Sequence, residues 1–187
     1  MAIEDRWPPI YDFEQLAATI RDLVEKPQDP LGKRMYVPAP SGTDFLQGDV
    51  IELDCEVPFI GAAGAAEVQD APPFWSVLGN TCDLAKPVSD HAYTQLVPVW
   101  AHGQAARLKP ATLVTLARYK YYTQFYLPPW NQTTDGLVHV ADFMRPVSVH
   151  KLALQQATLV ARMTRQGWIL FHSCVVRFLA RDDGRND

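Results

Sequence analysis

Asn80-Thr81-Cys82-Asp83 puts a carboxamide, a hydroxyl, a thiol and a carboxylate in four consecutive positions. Such a stretch can form a binding or catalytic loop. For Cys82 to act as a nucleophile, a base must lie within hydrogen-bond reach. His91, His102, His139, His150 and His172 are the histidines available, and sequence alone places none of them beside Cys82. No cysteine-hydrolase signature surrounds it. The spacing of Cys82, Asp83 and His91 matches no standard metal site, so no metal is expected, and no cofactor. The competing reading is a plain turn, in which Asn80 and Asp83 bond to backbone, Thr81 caps, and Cys82 is a small buried hydrophobe.

A second group could bind nucleic acid. Arg107, Lys109, Arg118 and Lys120 interleave with Tyr119, Tyr121, Tyr122, Phe125 and Tyr126. Cations can track a phosphate backbone while aromatic rings stack on bases. The other reading is a helix leading into a core strand, with the charges reaching solvent along their aliphatic stems.

Three short runs would position the first group: Gly48 to Leu53, Phe74 to Leu78 and Tyr93 to Val99. Their β-branched residues and flanking turn residues predict strands on short connections, hence a meander that can curl into a small barrel. Residues 54–73, rich in Ala, Gly and Pro, read as a long loop between the first two strands. Phe13, Leu16, Ile20 and Leu23 recur at helical spacing and predict a helix over 12–26, with Asp12 as its N-cap. A proline-rich connector over 27–41 follows, with Lys33 and Arg34 solvated.

Further on, Pro110 suits the first turn of a helix running to Lys120. Strands are predicted over 121–127 and 136–143. Trp130, beside two prolines, is either a hydrophobic clamp on the barrel or an exposed partner anchor. Residues 151–163 read as a helix closed by Gly167. Residues 168–180 read as a second, largely buried helix with Trp168, Phe171, Val175, Phe178 and Leu179 on one side. These two helices make a hairpin.

Gly48-Asp49-Val50-Ile51, Val77-Leu78-Gly79-Asn80 and Leu96-Val97-Pro98-Val99 resemble the core strands of the MazF/PemK-type toxins, small SH3-like barrels that cleave RNA. Leu78 to Leu84 is also similar to a Thr-Cys-Asp-containing group of uncharacterised bacterial proteins with the same barrel. The resemblance spans Gly48 to Val99, under a third of the chain. It implies a bacterial stress, toxin–antitoxin or phage-defence setting. One departure bears on chemistry. The nucleases carry an arginine after their first-strand loop, whereas no Lys or Arg lies between Arg34 and Lys86. Glu67 and Asp70 occupy the matching loop and would repel phosphate. No position here inherits the catalytic arginine.

The 187 residues suit one domain. The net charge of −4 conceals an asymmetry: residues 1–100 carry 6 Lys/Arg against 16 Asp/Glu, and residues 101–187 carry 11 against 5. The halves can neutralise one another, or the basic half can meet an acidic partner. Cys55, Cys82 and Cys174 are scattered and odd in number, and no signal peptide or membrane span is evident, so a cytoplasmic location is expected.

The sequence thus predicts an α+β fold: an SH3-like barrel core over 48–145 with an inserted helix, an N-terminal helix, and a C-terminal helical hairpin over 148–181. The leading functional expectation is a non-catalytic interaction module that binds a protein partner or a second copy of itself. The alternative is a divergent endoribonuclease or RNA-binding protein, taking its cation from Arg118 or Lys120. Nucleic acid is the less favoured partner, and no membrane contact is expected.

Overall fold

The computed structural model describes residues 13–24, 35–38, 44–69, 72, 74–130 and 136–180. Four α-helices occur among them: α1 (Phe13–Val24), α2 (Thr81–Leu84), α3 (Pro110–Ala117) and α4 (Arg165–Leu179). The strands are β1 (Tyr36–Val37), β2 (Val50–Glu52), β3 (Val57–Ile60), β4 (Ala66–Gln69), β5 (Phe74–Val77), β6 (Tyr93–Gln104), β7 (Gln124–Leu127), β8 (Leu137–Asp142), β9 (Val147–His150) and β10 (Thr158–Met163). Asp12, the expected cap of α1, and Lys33 and Arg34 of the connector lie outside the described residues.

The expected meander is present. β2 pairs antiparallel with β5 (Val50 opposite Ser76), and β5 pairs with β6 (Phe74 opposite Val99). Around it the strands follow the order β1-β10-β2-β5-β6-β8-β7, with β9 also on β6. The result is an α+β protein built on a strongly curled antiparallel half-barrel and a C-terminal helix. The end strands β1 and β7 do not pair with each other among the described residues.

Both faces of this sheet are covered, which explains its continuous apolar runs. Side chains alternate across a strand. Val50, Val97 and Val99 therefore join one cluster, with Ile169, Leu170, Phe171 and Val175 of α4. Ile51, Trp75, Val77 and Leu96 join another, with Leu154. Helix α1 packs against α4 and adds Ile20 to the first cluster. Trp130 is 6% exposed and sits edge-on to Phe74, a clamp on the sheet and not an exposed anchor.

Three expectations need correcting. First, the 54–73 loop contains the β3–β4 hairpin, with Val57 opposite Gln69 and Ile60 opposite Ala66. Gly64 turns it at a φ of +76°, a conformation glycine adopts without a Cβ penalty. One hairpin face, with Pro58, Ile60, Ala66 and Val68, is apolar and exposed.

Second, there is no C-terminal helical hairpin. Residues 151–156 make only a 3₁₀ turn, and 158–163 form β10. Thr158 and Val160 are β-branched, and the free edges of β1 and β2 offer hydrogen bonds on both sides. That tertiary opportunity outweighs the helix propensity of Leu, Ala and Gln.

Third, α4 begins at Arg165, before the expected 168. Thr164 caps it, its Oγ1 accepting from the Gly167 amide at 3.1 Å. Gly167 therefore sits in the first turn and is not a C-cap. It lies so close to β1 that a Cβ there would come 2.7 Å from the Met35 carbonyl oxygen. Leu179, expected on the buried side of this helix, is 73% exposed.

Candidate functional site

Thr81-Cys82-Asp83-Leu84 is a single helical turn and not a loop. Asn80 caps it, its side-chain oxygen accepting from the Cys82 amide at 3.0 Å. Thr81 Oγ1 accepts from the Gln47 amide at 3.0 Å, which ties the turn to the approach of β2. At the other end, the carbonyls that a helix leaves unpaired meet Lys151. Its buried ammonium donates to the carbonyls of Asp83, of Leu84 at 3.4 Å and of Lys86 at 3.1 Å.

Much of the plain-turn reading therefore describes this stretch, with three differences: the cap is Asn80 and not Thr81, and the other two concern Cys82 and Asp83. Cys82 is exposed, not a buried hydrophobe. Asp83 does not bond to backbone through its side chain. It pairs with Lys86 at 2.6 Å, and that hydrogen bond and charge hold its carboxyl below the usual range. Lys86 also lies 3.2 Å from His91 Nε2.

The turn forms a ridge between two grooves. One, of about 560 Å³, runs past Phe45, Thr81, Leu84, Lys86, Lys151 and Leu154. The other, of about 640 Å³, has Asn80 and Asp83 on one bank. Its floor includes Gln95 and Ser148, which face each other across β6 and β9. Its opposite bank is the last turns of α4, with His172, Val175, Val176 and Phe178. Among the described residues, no Lys or Arg lines this second groove.

Gln47, Trp168 and His172 organise that bank. Gln47 Nε2 donates to the Leu78 carbonyl at 2.9 Å. Gln47 Oε1 accepts from the Trp168 indole N–H at 3.0 Å and lies 3.0 Å from His172 Nδ1. Burial lowers the pKa of His172. The sequence offered one faint signal for this trio: Trp168 and His172 are one helical turn apart and so share a face. Nothing marked Gln47.

The remaining histidines are elsewhere. His139 is buried against Trp130 and Phe74, His150 lies against Tyr93, and His102 is exposed on β6. None bonds to Cys82. Among the described residues, no three His, Cys, Asp or Glu side chains gather as a metal would need. Cys174 is buried in the core, which pushes its thiol pKa up to about 12.

The basic and aromatic set is split between surface and core. Arg107, Lys109, Arg118 and Lys120 are exposed around the two ends of α3, with Tyr121 partly exposed beside them. Tyr119 and Phe125 are buried in the main core instead. Tyr122 is exposed, with the Arg177 guanidinium over one face 4.8 Å from its ring centre. Neither Arg118 nor Lys120 lines either groove. Among the described residues, the cations near Thr81 and Asp83 are Lys86 and Lys151, each already engaged as described. Glu67 is exposed on β4, and Asp70 lies outside the described residues. No helix among the described residues is long and apolar enough to cross a membrane. No family model, curated protein or solved structure matches this chain.

Proposed function

We propose that the chain is a non-catalytic binding module, and that an extended, uncharged segment of a partner protein occupies the groove between α2, the β6–β9 floor and the end of α4. One observation carries this reading: a groove of about 640 Å³ with an apolar bank, several polar side chains on its floor and no cation among the described residues that line it. Binding sites are typically concave, mostly apolar and marked by a few polar groups. The neighbouring strand supports a peptide ligand. β9 pairs only with β6 among the described residues, because β7 stops opposite Asp142. A free edge of this kind can accept an added strand.

The finer expectations belong to the same proposal: a divergent MazF/PemK-like barrel, a cytoplasmic location, and a bacterial stress, toxin–antitoxin or phage-defence role. The ribonuclease alternative has less support. Phosphate chemistry needs an available cation, whereas Asp83 faces this groove and no Lys or Arg among the described residues lines it.

The test is selection of peptides from a random display library, followed by mapping of the winners on the ¹⁵N-labelled protein. Shifts should concentrate at Gln95, Ser148, His172 and Val176, and Ser148→Arg should abolish binding. Arg118→Ala with Lys120→Ala should leave it intact. Failure to select any groove-binding peptide would overturn the proposal. So would submicromolar, salt-sensitive RNA binding that the α3 substitutions remove.

A further inference from the structure

The amide of Gln47 admits only one orientation. An indole N–H can only donate and a backbone carbonyl can only accept. Trp168 Nε1 therefore marks the Gln47 oxygen, and the Leu78 carbonyl marks its nitrogen. His172 Nδ1 faces that same oxygen at 3.0 Å, so Nδ1 carries the hydrogen. In a neutral ring, Nε2 is then left with a lone pair. Nε2 has no hydrogen-bond partner among the described residues, and His172 lines the groove.

From this geometry we infer that His172 Nε2 is a fixed hydrogen-bond acceptor that selects ligands presenting an O–H or N–H donor to the groove. The inference rests on the reading of the groove as a binding site and adds its specificity. Three features reinforce one another. The Gln47 clamp decides the tautomer. Ring packing of His172 on Trp168, with centroids 5.4 Å apart, restrains the imidazole. Partial burial favours the neutral form, which alone has a lone pair to offer. The charged or titratable groups facing the groove from the other elements are Asp83 of α2, His91 of the following turn and Tyr93 of β6. Asp83 is already paired with Lys86. Within α4, the other lining residues are the apolar Val175, Val176, Phe178 and Leu179.

Ligands that offer only acceptors would confront the Nε2 lone pair and leave it unsatisfied. Ligands with a hydroxyl or amide N–H beside an apolar body would satisfy both the nitrogen and the bank of α4. A tyrosine side chain or an extended backbone amide has that chemistry, whereas a phosphate ester does not.

The experiment uses the full chain and two matched fragments, p-cresol and 4-methylanisole, which differ in the phenolic hydrogen. Long-range ¹H–¹⁵N spectra of the histidine rings at neutral pH should first show protonated Nδ1 and bare Nε2 for His172. Titration followed on backbone amides should then place both fragments at Gln95, Ser148 and Val176. The phenol should bind about tenfold more tightly, the scale of one hydrogen bond. His172→Phe should erase that preference while retaining weak binding of both. Gln47→Leu should let the ring sample both tautomers and shrink the preference. An Nε2–H tautomer would overturn this inference alone, as would equal affinities in the unaltered protein. If neither fragment reaches the groove at millimolar concentration, the binding-site reading falls with it.

Discussion

Replacing Arg162 with Met should be among the most damaging single changes outside the apolar core. Asp49 is 1% exposed and precedes β2, and Arg162 reaches it from β10. The guanidinium approaches the carboxylate at 2.7 Å through one terminal nitrogen and at 3.1–3.2 Å through Nε, and it also donates to the Asp44 carbonyl. The Leu46 amide supplies another donor to Asp49 at 2.8 Å. Without Arg162, the carboxylate stays buried with that amide alone, a loss of about 3–5 kcal/mol. At a urea dependence of about 2 kcal/mol per molar, the unfolding midpoint drops by roughly 1.5–2.5 M.

Asp49→Asn should cost less, about 1–3 kcal/mol, because Arg162 is 16% exposed and can turn to water. The double variant should cost less than the sum, with a coupling on the order of 2 kcal/mol. The pH dependence gives a separate check. Burial already raises the pKa of Asp49 despite the opposing pull of Arg162. A carboxyl raised on folding contributes stability below its unfolded pKa, and that contribution is lost as pH rises through the folded pKa. Removing Arg162 raises the folded pKa further, so the variant should recover part of its deficit as pH falls through that raised pKa. A loss under about 1 kcal/mol with unchanged pH dependence would refute the reasoning.

Gly167→Ala should destabilise by about 1–3 kcal/mol, because the new Cβ would meet the Met35 carbonyl oxygen at 2.7 Å and backbone cannot yield easily; thermal unfolding reads this directly. Lys151→Met should loosen α2, and faster amide exchange at Leu84 to Lys86 would register the loss of its three-carbonyl anchor while the sheet amides stay protected. Phe171→Ala should cost about 3–5 kcal/mol, since Phe171 is fully buried between Phe125 and Phe143; a smaller loss in urea unfolding would show that α4 is peripheral to the core.

The central meander was legible because Val50-Ile51 and Val97-Pro98-Val99 carry a local strand signal between clear turn residues. Pro110 likewise marked the start of α3. What failed locally was decided at long range. Leu152 to Val160 has helix-forming composition, yet the slot between β1 and β2 is visible only once those strands are placed. The β3–β4 hairpin was hidden by its alanines, although Gly61-Ala62-Ala63-Gly64 between two apolar runs was a usable turn signal. At the candidate site, Thr81 was expected to cap and instead accepts from the Gln47 amide, while Asn80 showed its capping chemistry in its residue type. Lys151 and Gln47 did not, since each works on backbone or side chains far along the chain.

The position of β10 has a consequence for biosynthesis. Two strands completed by Glu52 flank one that ends at Met163, so the β1–β10–β2 edge of the sheet cannot close until Thr158 to Met163 have been made. At typical elongation rates that delay is roughly 5–20 s. Throughout it, β2 presents Val50 and Ile51 on an open edge, and β1 has no other strand to join among the described residues. Open apolar edges template pairing with other chains. The nascent protein therefore passes through an interval of aggregation hazard that ends when Thr158 to Met163 slide into place, which makes β10 the keystone of assembly as well as a strand of the finished sheet.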